Sequence, residues 1–582
     1  MRFSAANAFC FVSMLCIGSS FAQIPVFQDI APAAGVDNSE MAMGAAFLDV
    51  NNDGWDDIHL INDHQPGFRN FLYLNQCDMT FTDITLTAGV AEPQFPFAVR
   101  VADVDNDGWQ DLFIFTMDGH NMLYRNNHDN TFTDMLPPSV VCGLYLSAAD
   151  VGDVNNDGLL DLYVVVRDFW NFYGILYQNI EHGEFNEVWR SSAPLWFAND
   201  ANFCDFDNDG DLDLLQGNFG SPNWLFRIEY PAMNEIAQSA GIAGYPEEFK
   251  HPLVGDFDND GWFDIFCITY LEYGETAECL YRQDSPMHFA NIINASGIDP
   301  LAPSYRGVVA DLDNDGWLDI VTFDSNSGST YFWHNDGDGT FTDVASEAGL
   351  TLDNSEACAA AVGDINADGF LDIYLMKYGS GNSPNRLFLN GGNGNHWLQI
   401  ALRGSDSNGL GLGSRVKAVA GDLVQWRDVG GGRGESCSNA PYVQLGLGSH
   451  SVVDSLYVMW SSGRMDMMTD LPADQRITVV EGSVSVGNSG QNSLPVSFRL
   501  QPAYPNPFNP TTTLGFTIPN DSQVNLSVYD IAGRKVATLV NGMKSAGTYQ
   551  VTFDGSGLAS GVYFCRLEAG EYSAAQKMVL MK

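Results

Sequence analysis

The sequence predicts an all-β fold: a seven-bladed β-propeller, a small β-rich domain after it, and a C-terminal Ig-like β-sandwich. Three observations point there. A nine-residue acidic pattern recurs seven times, at spacings of 50 to 55 residues. Short runs of alternating aromatic and polar residues stand between Gly- and Asn-rich turns, the mark of antiparallel strands. The repeat and the acidity both stop near residue 395, where a different β-rich sequence begins.

The repeat is Asp-x-Asp/Asn-x-Asp-Gly-x-x-Asp, starting at Asp49, Asp103, Asp153, Asp205, Asp256, Asp311 and Asp364. A β-rich run follows each copy. Next comes a Leu-Tyr-x-Asn-like strand, as in Leu72-Tyr73-Leu74-Asn75, and then a Phe-x-Asp-like strand, as in Phe81-Thr82-Asp83. Seven copies at this period mean a propeller, a solenoid or an array. Four strands per period of about 50 residues suit one propeller blade. The ends favour the propeller. The seventh copy has Leu387-Phe388-Leu389-Asn390 but no Phe-x-Asp strand after it, and Phe27-Gln28-Asp29 stands alone before the first. That orphan strand is expected to complete the last blade and remove the exposed sheet edges. An open solenoid would need caps at both ends, and none is visible.

The loop chemistry points to calcium. Ca²⁺ takes about six to eight hard oxygen ligands in a flexible shell. Positions 1, 3 and 5 turn three side-chain oxygens towards one point, Gly at position 6 permits the positive φ that wraps the chain, and the acid at position 9 closes the shell. The expected ligands are Asp49, Asn51, Asp53 and Asp57; Asp103, Asp105, Asp107 and Asp111; Asp153, Asn155, Asp157 and Asp161; and Asp205, Asp207, Asp209 and Asp213. The last three loops supply Asp256, Asp258, Asp260 and Asp264; Asp311, Asp313, Asp315 and Asp319; and Asp364, Asn366, Asp368 and Asp372. The closing acid comes at position 9 and a strand follows, so these are not EF-hands. About seven Ca²⁺ ions are expected, in structural roles. Over residues 23–395 the loops and strands resemble the FG-GAP or VCBS-type repeats of secreted bacterial proteins and integrin α-subunit propellers. The resemblance implies a seven-bladed, calcium-stapled propeller used for extracellular binding.

Charge and composition exclude several classes. The chain has 26 Lys+Arg and 73 Asp+Glu, a formal net charge of −47. Residues 1–395 hold 12 basic and 59 acidic side chains, residues 396–482 hold 7 and 9, and residues 483–582 hold 7 and 5. The whole excess sits in the repeats. Such a chain lacks the basic surface that nucleic acid requires and does not suit anionic lipid. With 45% hydrophobic and 12% aromatic residues it builds large cores and is not disordered.

Residues 1–22 combine Arg2, an apolar run and small residues ending at Ala22, the pattern of a signal peptide cleaved before Gln23. No other stretch has the length of a membrane span, so no transmembrane segment is expected in the mature chain. Eight cysteines follow the signal, without CxxC or CxxCH. Most are expected as buried thiols, with Cys267 and Cys279 placed to pair across one hairpin.

Residues 396–482 break the repeat. Ser407-Asn408-Gly409-Leu410-Gly411-Leu412-Gly413, Leu445-Gly446-Leu447-Gly448 and the run Val453–Trp460 read as strands and Gly turns. The Gly409 run is no dinucleotide fingerprint, because no helix follows it. The segment resembles the ASPIC/UnbV domain, departing from it at Ser436-Cys437-Ser438 and Val443-Gln444. Structural roles are expected for Arg415 and Asp454, and core positions for Trp397 and Trp460.

Residues 483–502 are Ser/Gly/Asn-rich, a linker. Residues 503–582 then alternate as an Ig-like sandwich. Pro505-Asn506-Pro507-Phe508, the hairpin Val528-Tyr529-Asp530 to Gly533-Arg534, Gly561-Val562-Tyr563 and the basic end at Lys577 and Lys582 resemble the type A sorting domain of the type IX secretion system. A related resemblance is to the Ig-like domain of flagellar hook-capping proteins. The signal pattern and the absence of a flagellar segment favour the sorting domain, which implies contact with the secretion machinery.

The expected function is that of a secreted or cell-surface calcium-binding repeat protein whose propeller face binds an extracellular polysaccharide or protein. The alternative is an extracellular lyase, hydrolase or quinone-type dehydrogenase on the same scaffold. The sequence gives that alternative little: Gly-x-Ser-x-Gly and His-Glu-x-x-His are absent, the histidines are scattered, and no residue is singled out as catalytic.

Overall fold

In the computed structural model the chain is all-β, 55% strand and 3% helix. The structure describes residues 24–483, apart from stretches at 64–68, 92–94, 138–139, 141–144, 169–170, 182, 192–197, 219–221, 244–248, 270–277, 303, 325–327, 353–356, 378–383 and 431–435. It also describes residues 499–500, 508 and 510–582, apart from 519–521, 545–546 and 571. The signal pattern, most of the linker, Pro505-Asn506-Pro507 and Cys142 lie outside the described residues. Two compact units emerge, residues 1–486 and 487–582. The repeats and the segment after them therefore share one unit.

Seven four-stranded antiparallel sheets fill the repeats. In the first, Ala42–Leu48, Asp57–Asn62, Phe71–Asn75 and Phe81–Asp83 lie side by side in chain order. Five more sheets keep that order, beginning at Pro96–Ala102, Tyr145–Gly152, Ala198–Cys204, Phe249–Gly255 and Arg306–Ala310. The seventh comprises Ala357–Gly363, Asp372–Lys377 and Arg386–Asn390 and takes its fourth strand from the N-terminus. Phe27–Asp29 pairs antiparallel with its third strand, Phe27 opposite Asn390. The orphan strand thus goes where the sequence placed it. Each sheet is itself open. The first strand of each sheet lies beside the first strand of the next, and Ala357–Gly363 lies against Ala42–Leu48.

Burial explains the composition of the strands. Every residue of the second strands Asp57–Asn62, Asp111–Thr116 and Asp372–Lys377 is buried, so their interiors are mostly apolar rather than alternating. The first strands AMGAAFL and ACAAAVG are built of small residues, as their close mutual approach requires. Six of the seven fourth strands bury only their Phe. In the fifth sheet the register sets Cys267 opposite Cys279, both as thiols, so the expected pairing across that hairpin is not made.

After the repeats, Val443–Gly448, His396–Arg403 and Gln475–Val480 form one sheet, with the last pair parallel. Leu423–Asp428, Arg415–Ala420, Val452–Met459 and Met465–Pro472 form a second. Their core, with Leu398, Val416, Leu445 and Trp460, is continuous with that of the first three repeat sheets. In the second unit, Arg499–Leu500, Thr511–Ile518 and Gly547–Asp554 make one sheet, and Lys535–Lys544, Ser522–Asp530, Gly561–Ala569 and Tyr572–Leu580 the other. Phe508, Leu514, Val528, Phe553 and Cys565 fill its core.

Candidate metal centres

Each acidic loop joins the first and second strands of its sheet, and position 9 opens the second strand. The same four hydrogen bonds shape all seven. In the first loop the Asp53 and Gly54 N–H groups donate to the two oxygens of Asp49, at 3.0 and 2.8 Å. Trp55 N–H donates to Asp53 Oδ1 and Val50 N–H to Asp57 Oδ2, both at 2.9 Å. The seventh loop repeats them on Asp364, Asp368 and Asp372, and the other five do likewise. Gly at position 6 has φ from 85° to 96°, as the wrap requires.

In four of the loops three of the expected ligands come together. Asp103, Asp105 and Asp111 bring carboxylate oxygens within 4.8 Å of one another, as do Asp205, Asp207 and Asp213; Asp256, Asp258 and Asp260; and Asp311, Asp313 and Asp315. The first, third and seventh loops have Asn at position 3, and its amide donates to the position-5 carboxylate, at 2.8 to 2.9 Å. A sixth-loop group, Asp313, Asp319 and His334, includes a histidine that the sequence reading did not single out.

These donors fit a hard divalent cation. Asp207 Oδ1 and Asp313 Oδ2 are buried without a hydrogen-bond partner, on two carboxylates that belong to these groups. Without a cation, burial and then neighbouring charge push Asp103 up to about 7, and Asp111, Asp161 and Asp213 to about 8. Burial and then the charge of Asp313 push Asp315 to about 9. Backbone N–H bonds oppose the rise but do not cancel it. A divalent ion supplies the missing charge compensation.

Position 4 was missed, although its signal is in the sequence. It is left-handed in every loop, with φ from 54° to 58°, and is Asn in six, which tolerates that conformation. Each of these Asn amides reaches a carbonyl of the next loop's Gly: Asn52 to Gly108, Asn106 to Gly158, Asn156 to Gly210, Asn208 to Gly261, Asn259 to Gly316 and Asn314 to Gly369, at 2.7 to 3.2 Å. The third strands reach the other way. Asn126 donates to Val50 O, Asn335 to Phe257 O and Asn390 to Leu312 O in the preceding loop. Asn75 of the first sheet donates to Ile365 O of the seventh at 2.8 Å.

The seventh loop has Ala367 at position 4, with no amide to give. Arg476, from the segment after the repeats, supplies the bond instead, donating to Gly54 O at 2.8 Å. It also donates to Gln399 at 2.7 Å and lies over Tyr442, with Asp56 and Asp364 at 3.9 and 4.0 Å. Arg403, Arg415 and Arg427 donate likewise to the carbonyls of Gly108, Gly261 and Gly316. The structural role expected for Arg415 is this one. Asp454 accepts from Gly421 N–H in a turn, and Trp397 and Trp460 are buried. Trp397 covers the seventh loop so closely that a Cβ on Gly369 would lie 1.8 Å from its ring. The Gly409 run meets the second loop, with Gly409 N–H donating to Asn106.

Residues 436–442 thread between the first strands. Phe47 N–H donates to Ser438 O, Ser438 N–H to Ala45 O, Val99 N–H to Ser436 O and Ala440 N–H to Val362 O, at 3.0 to 3.2 Å. Cys437 is fully buried beside Ala42, Ala45, Ala359 and Ala361. Only glycine fits at Gly44, where a Cβ would lie 2.2 Å from Ser436 O. The departure at Ser436-Cys437-Ser438 therefore lies buried inside the unit.

Comparison with known proteins agrees with this arrangement. Residues 49–114, 103–164, 205–267, 256–322 and 311–375 match the FG-GAP-like repeat, residues 404–486 match ASPIC and UnbV, and residues 502–581 match the secretion system C-terminal sorting domain. All three are present in this chain. Cartilage acidic protein 1 of Mus musculus is 27% identical over 270 residues, 44% of this chain and 40% of that protein. The Xenopus tropicalis protein of the same name is 22% identical over 378 residues, 63% of this chain and 42% of that one. The chain thus spans about two-fifths of the length of these relatives. A solved structure of PorZ, described as an essential bacterial surface component of the type-IX secretion system of Porphyromonas gingivalis, aligns with 93% of this chain and 81% of its own. Its identity is 11% and its TM-score 0.21, too low to carry an argument. The sorting domain implies a secreted or outer-surface protein. Among the described residues no helix is long and apolar enough to cross a membrane.

Proposed function

We propose that this chain is a surface-displayed or secreted calcium-loaded scaffold that binds an extracellular polysaccharide or protein. On this reading the seven sheets are the blades of a closed propeller, residues 23–395, and residues 1–22 are a cleaved signal. Residues 396–482 form a cap over the calcium loops, and residues 503–582 form an Ig-like sorting domain that engages the secretion machinery. The observation that carries the reading is the sevenfold recurrence of the loop, each copy with the same four hydrogen bonds and with Asp at positions 1, 5 and 9. Because the cap covers the loop side, the partner is expected at the opposite strand ends, beyond Asn62, Thr116, Asn218 and Lys377. Calcium counted by elemental analysis on purified full-length protein should approach seven ions per chain. A glycan and protein array, run with calcium and with chelator, should then show calcium-dependent binding. Fewer than two bound ions at millimolar calcium would overturn the metal reading, and an empty array the binding one.

A further inference from the structure

One place recurs on the third strand of every repeat sheet. Asn75, Asn126, Asn179, Ile228, Gln283, Asn335 and Asn390 each donate a backbone N–H to the position-9 carboxylate of their own loop, at 2.7 to 3.1 Å. The residue just before that N–H therefore occupies the same structural position seven times. These residues are Leu74, Arg125, Gln178, Arg227, Arg282, His334 and Leu389.

They sort with position 3 of the loop. Where position 3 is Asp (Asp105, Asp207, Asp258 and Asp313), the place holds Arg125, Arg227, Arg282 and His334. Where position 3 is Asn (Asn51, Asn155 and Asn366), it holds Leu74, Gln178 and Leu389. None of the seven breaks the rule. Three of the four pairs meet in space. Arg125 Nη1 lies 3.6 Å from Asp105 Oδ2, Arg227 Nε 2.8 Å from Asp207 Oδ2, and His334 Nδ1 3.7 Å from Asp313 Oδ2. Arg282 acts on Asp258 at longer range, favouring its charged form.

We propose that this third-strand residue is a counter-charge that sets the calcium affinity of its loop. Four carboxylates with one cation, or three carboxylates with none, leave the same net charge of −3. Over these positions every loop then presents the same charge to a divalent ion, and the seven sites fill as one class. The three arginines, charged at any working pH, carry the argument, and His334 stands at the same place in the fourth Asp-type loop. These are positioning residues: they act on the ion through the loop carboxylates, Arg227 donating also to position-5 Asp209 Oδ2 at 3.2 Å and His334 lying 3.3 Å from position-9 Asp319 Oδ1, while Asp207 Oδ1 is left for a cation. Ligand charge count is a known lever on calcium affinity. The inference rests on the calcium reading above but fails separately from it.

The test is calorimetric titration of chelator-stripped full-length protein with CaCl₂, paired with thermal melts in chelator. Wild type should bind in one class of sites. Arg227→Leu should split off one site roughly tenfold tighter and lower the midpoint of the stripped protein. Arg227→Leu with Asp207→Asn should restore both, because it converts the fourth repeat to the Asn type, and Arg227→Lys should behave as wild type. Should Arg227→Leu fold poorly, Asn51→Asp in the first loop tests the same rule, with Leu74→Arg as its rescue. A wild type that binds no calcium refutes the calcium reading. A wild type that binds, with single variants whose isotherms match it, overturns the counter-charge.

Discussion

Six junctions between neighbouring loops carry an Asn-to-Gly link made by the repeats themselves, and at the seventh the bond to that Gly carbonyl comes from a different segment of the chain. At the six, an Asn amide passes to the next Gly carbonyl over 2.7 to 3.2 Å. At the seventh, Ala367 has nothing to pass, and Arg476 crosses from the cap to Gly54. A repeat needs only its neighbour, so its links are short and encoded within one period. The last junction joins chain positions more than 300 residues apart, and the protein fills it with a longer, charged side chain. That arginine also compensates the buried Asp56 and Asp364. Cap and repeats are thereby joined at the one loop that lacks a position-4 Asn.

The broadest way to break this comparison is to remove what all seven loops share. Exhaustive chelation should lower the calorimetric midpoint more than any single substitution, since each loop at a hundredfold excess of calcium over Kd contributes about 2.7 kcal/mol. The stripped protein should also be stabilised by acid. Asp111, Asp161 and Asp213 have folded values near 8 against an ordinary 3.8. Their contribution is fully present below pH 4 and lost as pH rises through 8. Melts of stripped protein from pH 8 down to pH 5 should therefore show rising midpoints. Flat midpoints would mean that these carboxyls are already compensated.

Next in size is the seventh junction. Arg476→Met should cost about 3 kcal/mol, because it leaves Asp56 and Asp364 buried without their cation, whereas Asn156→Ala at a junction made by the repeats should cost about 1 kcal/mol. Chemical denaturation of the two variants measures the contrast, and equal costs would erase the distinction between the junctions. A smaller effect sharpens it. Ala367→Asn placed on Arg476→Met should recover about 1 kcal/mol, since Asn suits the left-handed φ of 55° and can reach Gly54 O. No recovery would show that the seventh junction is shaped differently from the rest.

The smallest prediction concerns a carboxylate of opposite behaviour. In the cap, Glu481 accepts the N–H groups of Ser405, Asp406 and Ser407 at 2.7 to 2.8 Å. Burial raises its pKa, but these bonds and the Ser462 hydroxyl outweigh it, and the net shift is downward. Its contribution is present above the ordinary Glu value and lost as pH falls through the folded one. Glu481→Gln should cost about 1 kcal/mol at pH 7 and almost nothing at pH 3, read by denaturation at the two pH values. The loops and Glu481 thus hold carboxylates in two ways: crowded, with N–H donors that only partly offset burial, or ringed by donors that outweigh it.

Much of this was legible in one dimension because the relevant information is periodic. The loop ligands, the Gly turn and the orphan Phe27–Asp29 strand all follow from one repeated unit and its broken ends. The position-4 Asn and the third-strand residue were equally written there, but their meaning appears only when the next loop's carbonyl and the position-3 carboxylate are seen beside them. Cys267 and Cys279 show the limit of local reading: the hairpin register brings them opposite, yet both are thiols.

The sequence by itself determined the all-β class, the seven loops and their acidic positions, because strand alternation, turn glycine and ligand spacing are local constraints repeated seven times. Only the tertiary structure decided that the segment after the repeats covers the loops, that Ser436–Tyr442 lies among the first strands, and that Arg476 completes the seventh junction. Those contacts join residues hundreds of positions apart. Nothing in a local pattern encodes them; they depend on shape, on the approach that glycine allows, and on buried charges finding partners.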